Sequence, residues 1–212
     1  MTIKKFEFNM FPENCYILSD ETNEAVIIDA GCFYEEDRQA LKDYIDTNKL
    51  NLKHLLNTHL HIDHIFGNPF LYHAYGLKAE ANKEDEFWLE YADAQAKAFG
   101  VELPEKMVPL GGYVSDGDII KFGNHQLDAI HVPGHSPGGM VYYCKEESCL
   151  FSGDSLFHGS VGRADFAGGD FDSLRKHICS RLLVLPENTV VYPGHGDITT
   201  IGYEKKNNPF LR

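Results

Sequence analysis

Residues 57–67 read NTHLHIDHIFG, which places three histidines and an aspartate within six positions. The apolar run LKHLL directly before them predicts a short β-strand. Alternate residues of an extended segment point the same way, so His59 and His61 can bind one ion together. If the chain turns into a helix at about Asp63, the side chains of Asp63 and His64 can reach a second ion. The stretch therefore predicts a metal site at the end of a strand.

Three further ligand-type side chains follow other apolar strands in the same way. His135 lies in VPGHSPGG, Asp154 in LFSGDSLF and His195 in YPGHG. Strand ends next to loops are where α/β proteins place functional residues. Seven imidazole and carboxylate ligands are enough for two ions that share a carboxylate and a water. Without nearby thiolates, they favour zinc, iron or manganese over a closed cysteine site.

The composition is that of an ordinary globular protein. The 212 residues are 43% hydrophobic and 24% charged, which suits one domain with a sizeable core. A net charge of −13 disfavours a nucleic-acid backbone or an anionic membrane surface as partner. No signal peptide or apolar membrane span is evident. Five cysteines without a C-x-x-C pair favour a reducing cytoplasm, which we expect to be the location.

The order of predicted elements indicates a layered protein. Strands, a helix, a strand and helices are followed by strands, a helix and a strand, so the two halves look alike in plan. This order predicts an α/β architecture of sheets packed face to face with helices outside. Residues 83–100, KEDEFWLEYADAQAKAFG, predict one amphipathic helix whose core face carries Phe87, Tyr91, Ala94 and Ala98.

The motifs THLHIDH, PGHSPG, SGDSLF and PGHG, in that order, resemble those of the metallo-β-lactamase-fold hydrolases. IIDAG and NCY match further motifs, and the likeness runs from about residue 12 to residue 209. The resemblance implies a four-layer αββα sandwich. By the same resemblance His59, His61 and His135 hold one metal, Asp63, His64 and His195 hold a second, and Asp154 bridges them. Asp29 is then an acid that orients a ligand histidine, or else a turn-capping aspartate.

GSVGRADFAGGD, after SGDSLF, is similar to the glyoxalase II branch, the hydroxyacylglutathione hydrolases and their short relatives. Full-length glyoxalase II carries a helical C-terminal domain for glutathione, whereas residues 1–212 are expected to form a single domain without one. Arg163 matches the basic position of the substrate loop. It can bind a substrate carboxylate or form a surface salt bridge. Asp165 departs from the family's usual tyrosine.

The resemblance and the ligand set together predict a thioester hydrolase with two divalent metal ions, zinc first and iron or manganese as alternatives. Two such ions can share a water and lower its pKa from 15.7 towards ~7, which gives a bridging hydroxide nucleophile. Asp63 can orient that hydroxide and take its proton. A thiolate leaves without a general acid because its thiol has a pKa of ~8.5, and no separate acid stands out in the sequence.

Other functions remain open from the sequence. A persulfide dioxygenase with a single iron shares the G-R-x-D-F loop. A lactonase or β-lactamase uses the same fold, and a metal-binding module without activity uses the same ligands. The expected partner is a small-molecule thioester or similar substrate. The oligomeric state cannot be read from the sequence.

Overall fold

The computed structural model describes residues 1–212 and contains two six-stranded β-sheets. The two sheets and one small hairpin contain fourteen strands. These are β1 (Thr2–Phe8), β2 (Glu13–Ser19), β3 (Glu24–Ile28), β4 (Asn51–Leu56), β5 (Ala79–Ala81), β6 (Gly112–Tyr113), β7 (Ile119–Phe122), β8 (His125–His131), β9 (Met140–Cys144), β10 (Cys149–Gly153), β11 (Leu156–Phe157), β12 (Ser160–Val161), β13 (Val190–Pro193) and β14 (Thr199–Thr200). The small hairpin is formed by β11 and β12. The first sheet has the order β1-β2-β3-β4-β5-β6, and the second β14-β13-β10-β9-β8-β7.

Six of the seven α-helices lie between strands in sequence and the seventh follows β14: α1 (Glu35–Thr47), α2 (Ile62–Ile65), α3 (Asn68–Tyr75), α4 (Phe87–Glu90), α5 (Ala92–Ala98), α6 (Phe171–His177) and α7 (Ile201–Asn207). A π-helical turn, Ile178–Leu182, continues α6. None of the helices combines the length and the apolar character that crossing a lipid bilayer requires.

The pleat of the central strands explains the layers. In β2, Tyr16 and Leu18 pack between the two sheets, while Cys15 and Ile17 on the opposite face pack under helices. Every residue of β2 is buried, because successive side chains of a strand point to opposite faces and both faces are covered. The expected sandwich of two sheets with helices outside is therefore confirmed.

Each outer layer has its own apolar cluster. Leu41 of α1 and Leu71 of α3 pack on the first sheet. Leu174 of α6 and Ile201 of α7 pack on the second sheet. The resulting order is helices, sheet, sheet, helices, so the sheet edges remain free to carry loops.

The expected single helix over residues 83–100 is wrong. The segment forms a 3-10 turn at Lys83–Asp85 and then the short helices α4 and α5. Asp85, the last residue of the first turn, is buried, and its carboxylate accepts backbone N–H bonds from Leu60 and Gly138. The helices α4 and α5 are separated at Tyr91, whose φ of −94° and ψ of 3° depart from helical values.

The buried face of this segment also differs from the expectation. Trp88, Ala92 and Ala96 are buried against the residues around the histidine cluster, whereas the side chain of Tyr91 is 56% exposed. The spacing of these buried residues is still helical, but they form a different face from the expected Phe87, Tyr91, Ala94 and Ala98.

Candidate metal centre

Four loops meet at one edge of the two sheets. β4 ends directly before residues 57–64. In the second sheet β10 and β13 are parallel, and β8 runs the same way because antiparallel β9 separates it from β10. The loops after β8, β10 and β13 therefore leave from the same edge, and they carry His135, Asp154 and His195. The structure brings all seven predicted ligands together in overlapping groups.

The first cluster consists of His59, His61 and His135, which are all buried. His135 Nε2 lies 2.9 Å from His61 Nδ1 and 3.2 Å from His59 Nε2. Lone pairs on three ring nitrogens at such distances repel one another unless positive charge lies between them. The arrangement is therefore suited to a cation.

The other ring nitrogens of His135 and His59 contact the protein, whereas Nε2 of His61 is buried without a hydrogen-bond partner. His135 Nδ1 donates to the Arg163 carbonyl oxygen at 2.7 Å, and His59 Nδ1 lies 3.1 Å from Thr58 Oγ1. A proton on Nδ1 leaves the Nε2 lone pair free for a metal ion. The backbone of Arg163 is thus part of the centre, whatever its side chain does.

The second cluster consists of Asp63, His64 and His195. His195 Nε2 lies 3.2 Å from Asp63 Oδ2, and His64 Nε2 lies 3.8 Å from the same oxygen. His195 Nδ1 donates to the Pro12 carbonyl oxygen at 3.2 Å. This cluster combines one carboxylate with two imidazoles, so it also attracts positive charge.

Asp154 lies between the two clusters. Its Oδ1 is 3.4 Å from His64 Nε2. Its Oδ2 is 3.5 Å from His135 Nε2 and 3.6 Å from His195 Nε2. One carboxylate therefore contacts both clusters, which is the position that the bridging role requires.

Asp29, predicted either as an orienting acid or as a turn cap, contacts residues beside both clusters. Its Oδ2 accepts a bond from His64 Nδ1 at 3.0 Å and one from Thr58 Oγ1 at 2.7 Å. Its Oδ1 accepts the Thr58 backbone N–H at 2.7 Å. These contacts favour the orienting role, because they fix the tautomer of His64 and hold Thr58, which contacts His59.

Asp85 is a functional residue that the sequence reasoning missed. Its carboxylate accepts bonds from the Leu60 N–H at 3.1 Å, Ser136 Oγ at 2.8 Å and the Gly138 N–H at 2.6 Å. Leu60 lies between the two histidines of the first loop, and Ser136 follows His135. Asp85 therefore ties together the two loops that form the first cluster. Nothing in the sequence singles it out, because it lies in the polar stretch KED, which is typical of the first turn of a helix.

Asn14 and Glu13 were also missed as parts of the site. Asn14 N–H donates to the Gly194 carbonyl at 2.7 Å, and Asn14 Nδ2 donates to the carbonyls of Pro193 at 2.9 Å and Gly196 at 3.0 Å, so it holds the loop of His195. Glu13 is completely buried, and this burial raises the pKa of its carboxyl well above the usual value. In the sequence, the NCY motif indicated only a resemblance to the family, since an amide is not a typical metal ligand.

The two clusters differ in their electrostatics. Burial and the neighbouring imidazoles hold the pKa of His59 well below its usual value, and burial lowers the pKa of His61 to about 3. Burial also acts to lower the pKa of His64, but the carboxylates of Asp154 and Asp63 raise it well above normal. The same balance, with Asp154 foremost, raises the pKa of His195. Burial thus favours neutral His59 and His61, whereas the carboxylates of Asp154 and Asp63 favour positive charge at His64 and His195.

The donor set fits divalent metal ions. His64 Nε2 and Asp154 Oδ1 are buried without a hydrogen-bond partner, which is costly unless another group satisfies them. Imidazole nitrogens and carboxylate oxygens suit zinc, iron and manganese. The other six histidines belong to none of the metal-type groups, as expected: His54, His73, His125, His131, His158 and His177.

A pocket of about 420 Å³ opens onto both clusters and is lined by His61 and His135 of the first. Asp63, Asp154 and His195 form part of its lining, and aromatic side chains form much of the remainder. Phe11 and Phe99 pack edge to face across 5.1 Å between their ring centroids. A small substrate with an apolar part fits such a space.

Arg163, predicted to bind substrate, lines this pocket. Its guanidinium donates from Nε and Nη2 to the two carboxylate oxygens of Asp165, each at 2.6 Å. This pairing lowers the pKa of Asp165 to about 2. Of the two alternatives for Arg163, the exposed salt bridge is therefore present, and it lies beside the pocket, while binding of a substrate carboxylate stays a prediction.

Comparison with known families agrees with this geometry. The model of the family described as the metallo-beta-lactamase superfamily matches residues 9–195. A Haemophilus influenzae protein named hydroxyacylglutathione hydrolase GloC is 35% identical over 212 residues, which cover 100% of this chain and 98% of that protein.

Two solved structures are similar over nearly their whole length. The BLEG-1 B3 metallo-beta-lactamase superposes with a TM-score of 0.90 at 33% identity, covering 99% of both chains. TTHA1623 in a di-iron-bound form superposes with a TM-score of 0.87 at 36% identity, covering 98% of this chain and 100% of that one.

Proposed function

This chain belongs to the metallo-beta-lactamase superfamily, and from that premise we propose that it is a metal-dependent thioester hydrolase of the hydroxyacylglutathione hydrolase type. The first ion would be held by His59, His61 and His135, and the second by Asp63, His64 and His195, with Asp154 shared. Zinc is the proposed metal, with iron or manganese as alternatives. Two such ions would supply Lewis acidity and lower the pKa of a coordinated water.

The residues of the chain itself do the remaining work. Asp63 lines the pocket. Burial acts to raise its pKa, but the opposing imidazoles of His64 and His195 outweigh burial and lower that pKa. Asp63 is therefore ionised at neutral pH, so its carboxylate can orient the attacking water and accept its proton. The backbone around Arg163 fixes His135, and the aromatic walls exclude bulk water from the acyl group.

The observation that carries the thioester assignment is the absence of a separate acid in the pocket. Apart from the cluster residues, the polar side chains of its lining are Gln95, Ser160 and Arg163. None of these gives up a proton readily near neutral pH. The leaving group must therefore depart unaided, which a thiolate does far better than an amine. This favours thioesters over amides and β-lactams.

The test is hydrolysis by purified, metal-loaded protein. We expect release of free thiol from hydroxyacyl thioesters, loss of that activity with a chelator, and its return with added metal. The double variant His59→Ala, His135→Ala should retain only background activity, whereas His73→Ala, a change at an exposed histidine outside both clusters, should be unaffected.

Three results would overturn the proposal. One is stronger turnover of a β-lactam or lactone than of any thioester. Another is oxygen consumption with glutathione persulfide together with one iron per chain, which would indicate a persulfide dioxygenase. The last is full activity in the double histidine variant.

A further inference from the structure

The outer part of the pocket holds one cationic side chain, and that side chain is already paired. Arg163 is the only lysine or arginine among the 13 lining residues. Its Nε and Nη2 atoms donate two parallel hydrogen bonds to Asp165, and its guanidinium carbon lies 4.3 Å from the centre of the Phe166 ring. One edge and one face of the guanidinium are therefore occupied within the same loop.

A substrate carboxylate that approached the Nε and Nη2 edge would have to displace Asp165. Two parallel N–H bonds are the geometry in which arginine binds carboxylates best, and Asp165 uses them. The pair is exposed, with 60% and 65% of the two side chains accessible, so it adds little to folding stability. Its negative charge nevertheless stays beside the site where a second carboxylate would bind, and like charges in contact disfavour binding.

The remainder of the pocket offers no second cationic side chain, and its other polar groups outside the metal centre, Gln95 and Ser160, are neutral. Phe11, Phe99, Phe157 and Phe166 are apolar, and the other charged carboxylates of the lining, Asp63 and Asp154, belong to the metal centre. A thiol carrier that ends in carboxylates would meet aromatic rings and a neutralised arginine. A carrier without carboxylates would meet the same rings at no electrostatic cost.

On the basis of the thioester hydrolysis proposed above, we propose that Asp165 is a specificity-determining residue. It neutralises Arg163 and so directs the pocket towards thioesters of uncharged thiol carriers, rather than towards those of the anionic tripeptide glutathione. The acyl group is still delivered to the metal centre in the same way. The selection acts on the carrier alone.

The experiment compares one acyl group on two carriers, S-lactoylglutathione and S-lactoyl-N-acetylcysteamine, with metal-loaded protein. In Asp165→Asn we expect KM for the glutathione thioester to fall about three- to tenfold, with kcat unchanged, because one unit of like charge is removed at the surface. KM for the uncharged thioester should stay within about twofold. The gain should shrink at high salt, since screening weakens exposed charges.

Two further variants separate charge from general effects. Arg163→Gln combined with Asp165→Asn should lose the gain, because the released guanidinium is what binds the carboxylate. Asp172→Asn, which removes an exposed charge on α6, should leave both KM values unchanged. An unaltered KM for the glutathione thioester in Asp165→Asn, or equal changes for both carriers, would refute the role of Asp165.

A binding measurement keeps this inference separate from the function on which it rests. Calorimetric titration of S-methylglutathione, which is not hydrolysed, should show tighter binding to Asp165→Asn than to the unaltered protein, by about the same factor. If neither thioester is turned over but this difference is present, the thioester assignment fails and the role of Asp165 stands. If turnover occurs and the difference is missing, the reverse holds.

Discussion

The two clusters of the metal centre lie side by side but are built in different ways. The first cluster consists only of imidazoles, all buried, and its loops are tied to one another by Asp85. The second cluster contains a carboxylate and faces the pocket, and 26% of the His195 side chain is exposed. The comparison shows that both clusters reach the pocket, through His61 and His135 on one side and Asp63 and His195 on the other, but only the first is positioned by a buried carboxylate that joins its two loops.

The two clusters also differ in the charge that their surroundings favour. Burial favours the neutral forms of His59 and His61 in the first cluster, and the second draws in positive charge through its carboxylates. We therefore expect changes to the two halves to have separable effects on metal binding.

The largest effect should come from Asp85→Ala. This variant leaves the Leu60 and Gly138 N–H groups and the Ser136 hydroxyl without their acceptor. Unpaired buried donors cost about 1–3 kcal/mol each, and loss of residues that orient ligands typically weakens metal binding about 10–100-fold. We expect that loss at the first cluster, measured by competition with a chelating dye, and a lower free energy of unfolding in urea.

Asp85→Asn serves as the matched variant, because it keeps one acceptor oxygen and nearly the same shape. It should fall between Asp85→Ala and the unaltered protein in both measurements. Equal weakening of both metal sites in Asp85→Ala would show that the two clusters are not held independently.

Gly194→Ala should affect the second half instead. An added Cβ would lie 2.4 Å from Asp154 Oδ1 and 2.8 Å from His64 Cε1, so these ligands must move. Overpacking of this kind costs about 1–3 kcal/mol, which corresponds to roughly a 5- to 150-fold loss of affinity for the second ion if the cost falls on the bound state. Stoichiometric metal titration should show one site weakened and the other retained.

Gly112→Ala is the control for this change, since its Cβ would meet its nearest neighbour at an ordinary 3.7 Å. It should titrate like the unaltered protein. Retention of two equally tight sites in Gly194→Ala would contradict the assignment of Asp154 and His64 to a common centre.

The smallest effect concerns a histidine outside both clusters. His54 on β4 pairs with Glu80 at 2.7 Å, and this hydrogen bond raises the pKa of His54. A raised histidine pKa stabilises the fold below the unfolded value of about 6.5, and the contribution disappears as pH rises through the folded pKa. His54→Gln should therefore lower the free energy of unfolding at pH 5.5 by less than about 1 kcal/mol, and leave it unchanged at pH 9.

That result would show that the pH dependence of folding stability at the His54–Glu80 pair is independent of the metal centre. Metal content at pH 7 should be the same in His54→Gln and in the unaltered protein. A loss of metal in this variant would mean that β4 couples His54 to the first cluster, and the comparison of two independent halves would need revision.

The ligand-type residues could be predicted because each carries its own chemical signal. Imidazoles and carboxylates after apolar strands are rare enough in combination to indicate a metal centre from the order of residues alone. Asp85 and Asn14 could not be found in this way, because an aspartate in a polar turn and an asparagine before a strand are common. Their importance depends on which backbone groups they meet, and those groups lie up to 182 residues away in sequence.

The layered fold, the superfamily and the seven residues that gather at the sheet edge were all readable in the order of amino acids, since alternation of apolar residues and ligand chemistry are local properties. Three other features emerged from folding in three dimensions: the tie between two ligand loops at Asp85, the meeting of both clusters at one pocket, and the pairing of Arg163 with Asp165. The first two depend on contacts between separate loops. The third depends on the conformation of one loop at the pocket. Packing sets these distances, and local sequence does not.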